Sequence, residues 1–380
     1  MIRRSSLAAL VVAIVAAGIA RAELSGNFRS FYLNRNYSTP RSQESLAAGG
    51  RLQYDSPVWH GLKLRLAGYT SQGLLLTDPN RGGGGLLTPA QTGYAVLGQA
   101  NLNAVLGQTS LTLFRQALDT PFINTFDVKM TPVLFEAYTL RSQLSPKVSF
   151  VLSHLTGIKG WTETEFKPLS AAAGFAGADR PVSLAGLELS PQENIQLQAW
   201  EYYSYDLMNV VYFQAGGNWL MADGKTLSLA FQSFDQRSVG QAFGGTFTTG
   251  MYGLQAGLAL GQGPAFSLGF TSTNKNHDIV NPWGGYPGFT SIIEEDNDLA
   301  GEQAVTLGLA WRAASLYHTR SYILDKGSFA DPDQLETDLM LAFQFDEDLA
   351  LRLRGATVTN SLDTGRVSYT SFRAVFNREF

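Results

Sequence analysis

The chain closes on Tyr369-Thr370-Ser371-Phe372-Arg373-Ala374-Val375-Phe376-Asn377-Arg378-Glu379-Phe380. In extended backbone successive side chains point to opposite faces. Phe372, Ala374, Phe376 and Phe380 therefore share one face, and Arg373, Asn377 and Glu379 share the other. A tilted strand of about 9–11 residues crosses a bilayer, so this terminal segment is long enough to do so. After the N-terminal leader, no run approaches the roughly 18 apolar residues of a membrane helix. Lipid offers no partner to backbone N–H and C=O groups, so only helices and closed barrels span it. If this strand enters a membrane, the rest of the chain must close around it.

The N-terminus supports export. Arg3 and Arg4 precede an apolar run from Leu7 to Ile19, followed by the small-x-small site Ala20-Arg21-Ala22. This is the pattern of a cleaved secretory signal peptide over residues 1–22, leaving a barrel domain over 23–380. A terminal phenylalanine on an amphipathic strand resembles the C-terminal signal of bacterial outer-membrane barrels. The expected location is the outer membrane of a Gram-negative bacterium, in contact with its lipid and lipopolysaccharide. Loss of Arg3, Arg4 and Arg21 takes the formal charge of −4 to −7, which argues against a nucleic-acid partner. Cysteine is absent, which removes disulfides, thiolate metal sites and cysteine nucleophiles.

Period-two segments recur throughout. Leu349-Ala350-Leu351-Arg352-Leu353-Arg354 places leucines on one face and arginines on the other, and Leu62-Lys63-Leu64-Arg65-Leu66 repeats the pattern. Short polar turns such as Asp346-Glu347-Asp348 alternate with long gaps at 71–90, 118–131, 159–180 and 274–301. Short periplasmic turns and long external loops define an antiparallel up-and-down transmembrane β-barrel, here of about 18 strands with a range of 16–18. The weakest segments are 109–117, 181–190 and 315–324. A wall of 16–18 strands leaves an aqueous channel.

Alternation also assigns faces. Arg51, Lys63, Arg65, Arg352, Arg354 and Arg373 are expected inward, while Arg29 is ambiguous because Phe28 and Phe31 fall on opposite faces. Closure brings the last strand beside the first, so these six residues form one basic strip. Such a strip lowers the barrier for carboxylates in a confined channel. Asp119 and Asp127 in 118–131, and Glu294, Glu295, Asp296 and Asp298 in 274–301, would oppose it if either loop folded inward. For the 294–298 run the expectation is instead a solvated outer surface that binds divalent cations or lipopolysaccharide. Trp59, Trp161, Trp200, Trp219, Trp283 and Trp311 are expected in the interfacial girdles.

Chemistry for catalysis is not evident. His60, His154, His277 and His318 are scattered, and no Gly-x-Ser-x-Gly elbow occurs. No strand pattern offers a Ser–His pair at the lipid boundary. Asp331, Asp333, Glu336 and Asp338 lack the glycine turn of a calcium loop. The expectation is no enzyme, no cofactor and no metal.

The stretch Arg115-Gln116-Ala117-Leu118-Asp119-Thr120-Pro121-Phe122-Ile123-Asn124, continuing through Asp127-Val128-Lys129-Met130-Thr131-Pro132, resembles the signature of OprD-like outer-membrane porins. Trp283-Gly284-Gly285-Tyr286-Pro287-Gly288-Phe289-Thr290 and Phe31-Tyr32-Leu33-Asn34-Arg35 are similar as well. The resemblance implies an 18-stranded, substrate-selective diffusion channel for small hydrophilic solutes. It further implies that the third and seventh outer loops form the constriction, here 118–131 (with Arg115 at its base, Asp119, Asp127 and Lys129) and 274–301 (with Glu294, Glu295 and Asp296). Lys129 stands where the family usually shows arginine. The resulting expectation is a passive porin favouring carboxylates, a monomer or a trimer. Alternatives are a non-selective diffusion porin, an exporter of an acidic polymer, or a structural barrel.

Overall fold

The computed structural model describes residues 22–37, 42–74, 79–324, 326–361 and 367–380. Residues 1–21, nearly all of the expected signal peptide, lie outside the described residues. Eighteen antiparallel strands form one closed sheet. They are β1 (Glu23–Tyr37), β2 (Gln43–Asp55), β3 (Leu62–Gly73), β4 (Tyr94–Leu106), β5 (Thr109–Gln116), β6 (Leu134–Ser145), β7 (Val148–Lys159), β8 (Val182–Gln192) and β9 (Ile195–Ser204). The second half comprises β10 (Met208–Leu220), β11 (Lys225–Ser238), β12 (Thr248–Leu260), β13 (Ala265–Thr273), β14 (Glu302–Trp311), β15 (Ala314–Ile323), β16 (Gln334–Gln344), β17 (Leu349–Asn360) and β18 (Val367–Glu379). All three weak segments of the sequence reading are strands.

Each strand pairs with its neighbours in sequence, and β18 pairs with β1 from Asn27↔Glu379 to Tyr37↔Tyr369. Phe380 completes that seam. Its N–H donates to the Gly26 carbonyl and its carbonyl accepts the Gly26 N–H, both at 2.9 Å. Closure leaves no edge strand, as lipid requires. Leu254, Leu268, Leu307, Leu339 and Phe372 are exposed on the outer wall, the apolar outward face that a transmembrane barrel presents.

Register shifts break strict alternation at four places, two of them away from the short turns. Gly98 has no partner between Ala67↔Gln99 and Gly68↔Leu97, and Thr156 has none between Ala137↔Leu155 and Glu136↔Gly157. Such bulges bend and re-aim a strand. At Gly98 a Cβ would lie 2.6 Å from Leu134 Cδ1 and 2.7 Å from Tyr69 Cδ2, so only glycine fits that packing.

The largest apolar core lies inside the barrel. Phe122 of the loop 117–133 packs on Tyr202, Tyr212 and Phe234 of β9, β10 and β11. Trp283 and Tyr286 of the loop 274–301 join the same cluster, and Trp283 Nε1 donates to the Leu169 carbonyl of the loop 160–181 at 3.1 Å. A lumen too wide for wall side chains to fill is thus partly filled by loops. Trp59, Trp219 and Trp311 are exposed beside the short turns, as girdle residues should be. Trp200 and Trp283 are buried and Trp161 is half-buried against the core, which corrects the girdle assignment for those three.

Candidate functional site

The inner faces of five adjacent strands gather the basic residues. Arg354 on β17 stands directly opposite Arg373 on β18, with Arg352 two residues below. Leu33 on β1 is level with Arg373, which places Arg35 above and Arg29 below. Arg51 on β2 is level with Asn27 and faces Tyr69 of β3. Arg65 of β3 is level with Asp55. From Arg35 down to the level of Arg51 is eight residues of β1, about 27 Å along the strand. At the usual strand tilt of about 40° the column spans roughly 20 Å along the barrel axis.

Much of its charge is already paired. Asp55 takes Arg65 in a two-pronged contact at 2.7 and 2.9 Å and Lys63 at 3.2 Å. Both prongs are charge-assisted hydrogen bonds, which are the strong kind. Arg51 lies 3.8 Å from Glu379. Among the described residues no ion pair reaches Arg352 or Arg354.

Two loops from distant points of the sequence reach this column. Asp127 Oδ1 accepts from Arg29 at 2.7 Å, and Arg29 also donates to Asn377 at 2.9 Å. Lys129 is buried; its ammonium donates to the Gly84 carbonyl at 3.0 Å and sits 5.3 Å from the Trp161 ring. Burial, with Arg373 and Arg35 nearby, pushes its pKa down to about 7, with Glu294 opposing. The second loop runs along the inner wall. Thr271 and Thr290 hydroxyls meet at 2.6 Å, and the Glu336 carboxylate of β16 accepts the N–H groups of Ile293, Glu294 and Glu295 at 3.3, 2.9 and 3.1 Å. That grip presents the Glu294 carboxylate to Arg35 and to Arg373, the latter at 2.5 Å.

The acidic run is therefore not the solvated outer surface expected. Glu294 has 1 % of its side chain exposed. Glu295 accepts from the Tyr369 hydroxyl at 2.8 Å, and burial raises its pKa to about 7 despite that bond. Asp296 accepts from Ser291 at 2.7 Å, and burial raises its pKa as well.

The remaining residues take other places. Asp119 binds the Thr125 N–H and hydroxyl at 3.0 and 2.7 Å, so it shapes the hairpin Asp119–Asn124 inside its loop. Arg115 bonds Glu136 at 2.9 Å and stacks 4.5 Å over Phe166. The sequence assigns no lumen role to Arg35 or Asp55, leaves the face of Arg29 ambiguous and weighs Glu336 only as a calcium ligand. Of these, Arg35 and Arg29 share the parity of the other column residues along β1.

A Ser–His contact also exists where none was expected: His154 Nδ1 and Ser183 Oγ are 3.0 Å apart on the outer wall. The two residues are direct cross-strand partners. An acyl-transfer site needs free N–H donors for an oxyanion, and here the sheet ladder uses them.

A family model described as outer membrane porin, OprD family, matches residues 19–303. No curated protein matches the chain by sequence. Among solved structures, OccK9 (OpdG) of Pseudomonas aeruginosa shares 19% identity over 95% of this chain and 99% of its own, with a TM-score of 0.82. OccAB4 of Acinetobacter baumannii shares 15% over 94% and 98%, with a TM-score of 0.79. OpdK of Pseudomonas aeruginosa, in a structure with vanillate, shares 16% over 96% and 99%, with a TM-score of 0.80.

Proposed function

The chain belongs to the OprD family of outer-membrane porins, and we propose that within that family it is selective for small hydrophilic solutes bearing a carboxylate. Family and fold are those of channels rather than enzymes. One observation carries the proposal. Arg35, Arg373, Arg354, Arg352, Arg29 and Arg51 stand on contiguous inner faces, and among the described residues no carboxylate comes within ion-pair distance of Arg352 or Arg354, Asp338 acting on Arg354 from farther off. A carboxylate entering from outside meets fixed guanidinium groups at intervals of a few residues. It can pass from one to the next without recovering its full hydration shell. Binding that is favourable yet repeated lets a solute both enter and leave. OpdK, which has the same fold, was solved with vanillate, itself a carboxylate.

The loops supply the opposing sign. Glu294 and Asp127 sit against the column from the lumen side, so the constriction carries a transverse field that orients a dipolar solute. A second reading, weakly selective diffusion, draws on one observation: Asp55, Asp127 and Glu294 already neutralise much of the column.

The test is uptake into liposomes of a small carboxylate against a neutral solute of equal size. Arg352→Ala with Arg354→Ala should cut the carboxylate advantage about fivefold, the effect of two unit charges near 8 Å at an effective dielectric of about 40 after screening. Folding should change little, because lumen substitutions tune selectivity. An undiminished advantage in a folded double variant would remove the column from the mechanism.

A further inference from the structure

Across the lumen from the basic column, β9 and β10 carry a short chain of amides held by aromatic donors. Trp200 Nε1 donates to Gln198 Oε1 at 2.8 Å. Gln198 Nε2 donates to Gln214 Oε1 at 2.9 Å. The Tyr212 hydroxyl donates to that same Gln214 oxygen at 2.6 Å.

The order of these bonds follows from chemistry. An indole N–H can only donate, so Gln198 must turn its oxygen to Trp200 and its nitrogen to Gln214. Gln214 must then offer its oxygen, which Tyr212 fills from the other side. Trp200 and Tyr212 are buried and pack under Phe122 of the inward loop, so the amides have little freedom to reverse. The Gln214 oxygen takes both of its bonds inside the protein and the Gln198 oxygen takes one. Both N–H bonds of Gln214 Nε2 and one of Gln198 Nε2 find no protein acceptor among the described residues. Both glutamines line an inner cavity of about 900 Å³ whose lining also includes Lys147, Glu188 and Glu193, with Glu188 directly opposite Gln198 across β8 and β9.

We infer that Gln198 and Gln214 form a second recognition station, a neutral donor surface for acceptor oxygens on the part of the solute remote from its carboxylate. The inference rests on the reading of the protein as a carboxylate channel and narrows its solutes. Acids whose chains carry hydroxyl or keto oxygens gain hydrogen bonds here that a hydrocarbon chain cannot make. A neutral station of this kind leaves charge selectivity alone, and it acts on solutes that the column has already admitted.

The experiment compares gluconate with hexanoate, two carboxylates of equal carbon number and charge, in liposome flux. Gln198→Met with Gln214→Met should lower the gluconate-to-hexanoate ratio about fivefold relative to the unmodified protein, the ratio one net hydrogen bond supports. Trp200→Phe keeps the ring packing but frees Gln198 to reverse, and it should move the ratio in the same direction. The chloride-to-potassium permeability ratio, read from zero-current potentials, should stay the same in both variants. An unchanged gluconate-to-hexanoate ratio in the folded double variant would overturn the station. Loss of ion selectivity in either variant would also count against it. A fall in the solute ratio in a channel that shows no anion preference would uphold the station and refute the column instead.

Discussion

Replacing Glu294 by glutamine should make the channel more anion-selective. Glu294 is isosteric with glutamine, and its loop stays anchored by the Glu336 carboxylate, by Trp283 and by the Tyr369–Glu295 bond. What changes is charge. Arg35, Arg373 and Lys129 stand around one carboxylate, and the substitution raises the net charge of that group by one. At about 8 Å from the solute path and an effective dielectric of about 40, a unit charge contributes about 1 kcal/mol. At 0.1 M salt, with a Debye length near 10 Å, roughly half survives. The effect is opposite for anion and cation, so their ratio shifts by about 1 kcal/mol, about fivefold. Breaking a buried pair also leaves charge uncompensated, at about 3–5 kcal/mol, although the glutamine oxygen keeps one acceptor. Heat-modifiable gel migration should therefore accompany zero-current potentials in planar bilayers. A folded Glu294→Gln barrel with an unchanged or lower anion-to-cation ratio would refute the electrostatic reasoning.

Two other outcomes follow from the same loops. The pKa of Lys129 is pushed down to about 7 and that of Glu295 up to about 7. Raising the pH from 6 to 8 therefore removes a positive charge and adds a negative one, and anion preference should fall across that window. Lys129→Met should shrink the step, and a pH-independent potential would exclude both groups from the permeation path. Trp283→Ala removes a buried ring that ties the seventh outer loop to the fourth, a loss of about 3–5 kcal/mol of local packing. Conductance should rise and open-channel noise increase; a trace indistinguishable from the unmodified protein would show that this loop does not narrow the pore.

The wall was legible because lipid imposes its pattern on every strand. The leucines on either side of Arg352 and Arg354 had no other place to go, and Asp346–Asp348 could only be a turn. The interior was less legible. Phe31 points inward because Leu86 and Leu87 of an outer loop cover it, so an apolar residue sits on the wet face and blurs the parity that would have assigned Arg29. Trp200 was misplaced for the same reason: Phe122 and its loop turn part of the lumen into a core. The placement of Glu294 depends on Arg35 and Arg373, 259 and 79 residues away. No local period encodes such a contact. Counting strands along the sequence does number 118–131 as the third outer loop and 274–301 as the seventh, in agreement with the strand order of the structure, though it does not say what their tips touch.

The most direct measurement is the zero-current potential of the unmodified protein in a potassium chloride gradient across a planar bilayer. A fixed basic column along one wall predicts the sign of an anion-preferring pore, with the preference weakening as salt rises. A cation-preferring sign, or no conductance at all, would contradict it.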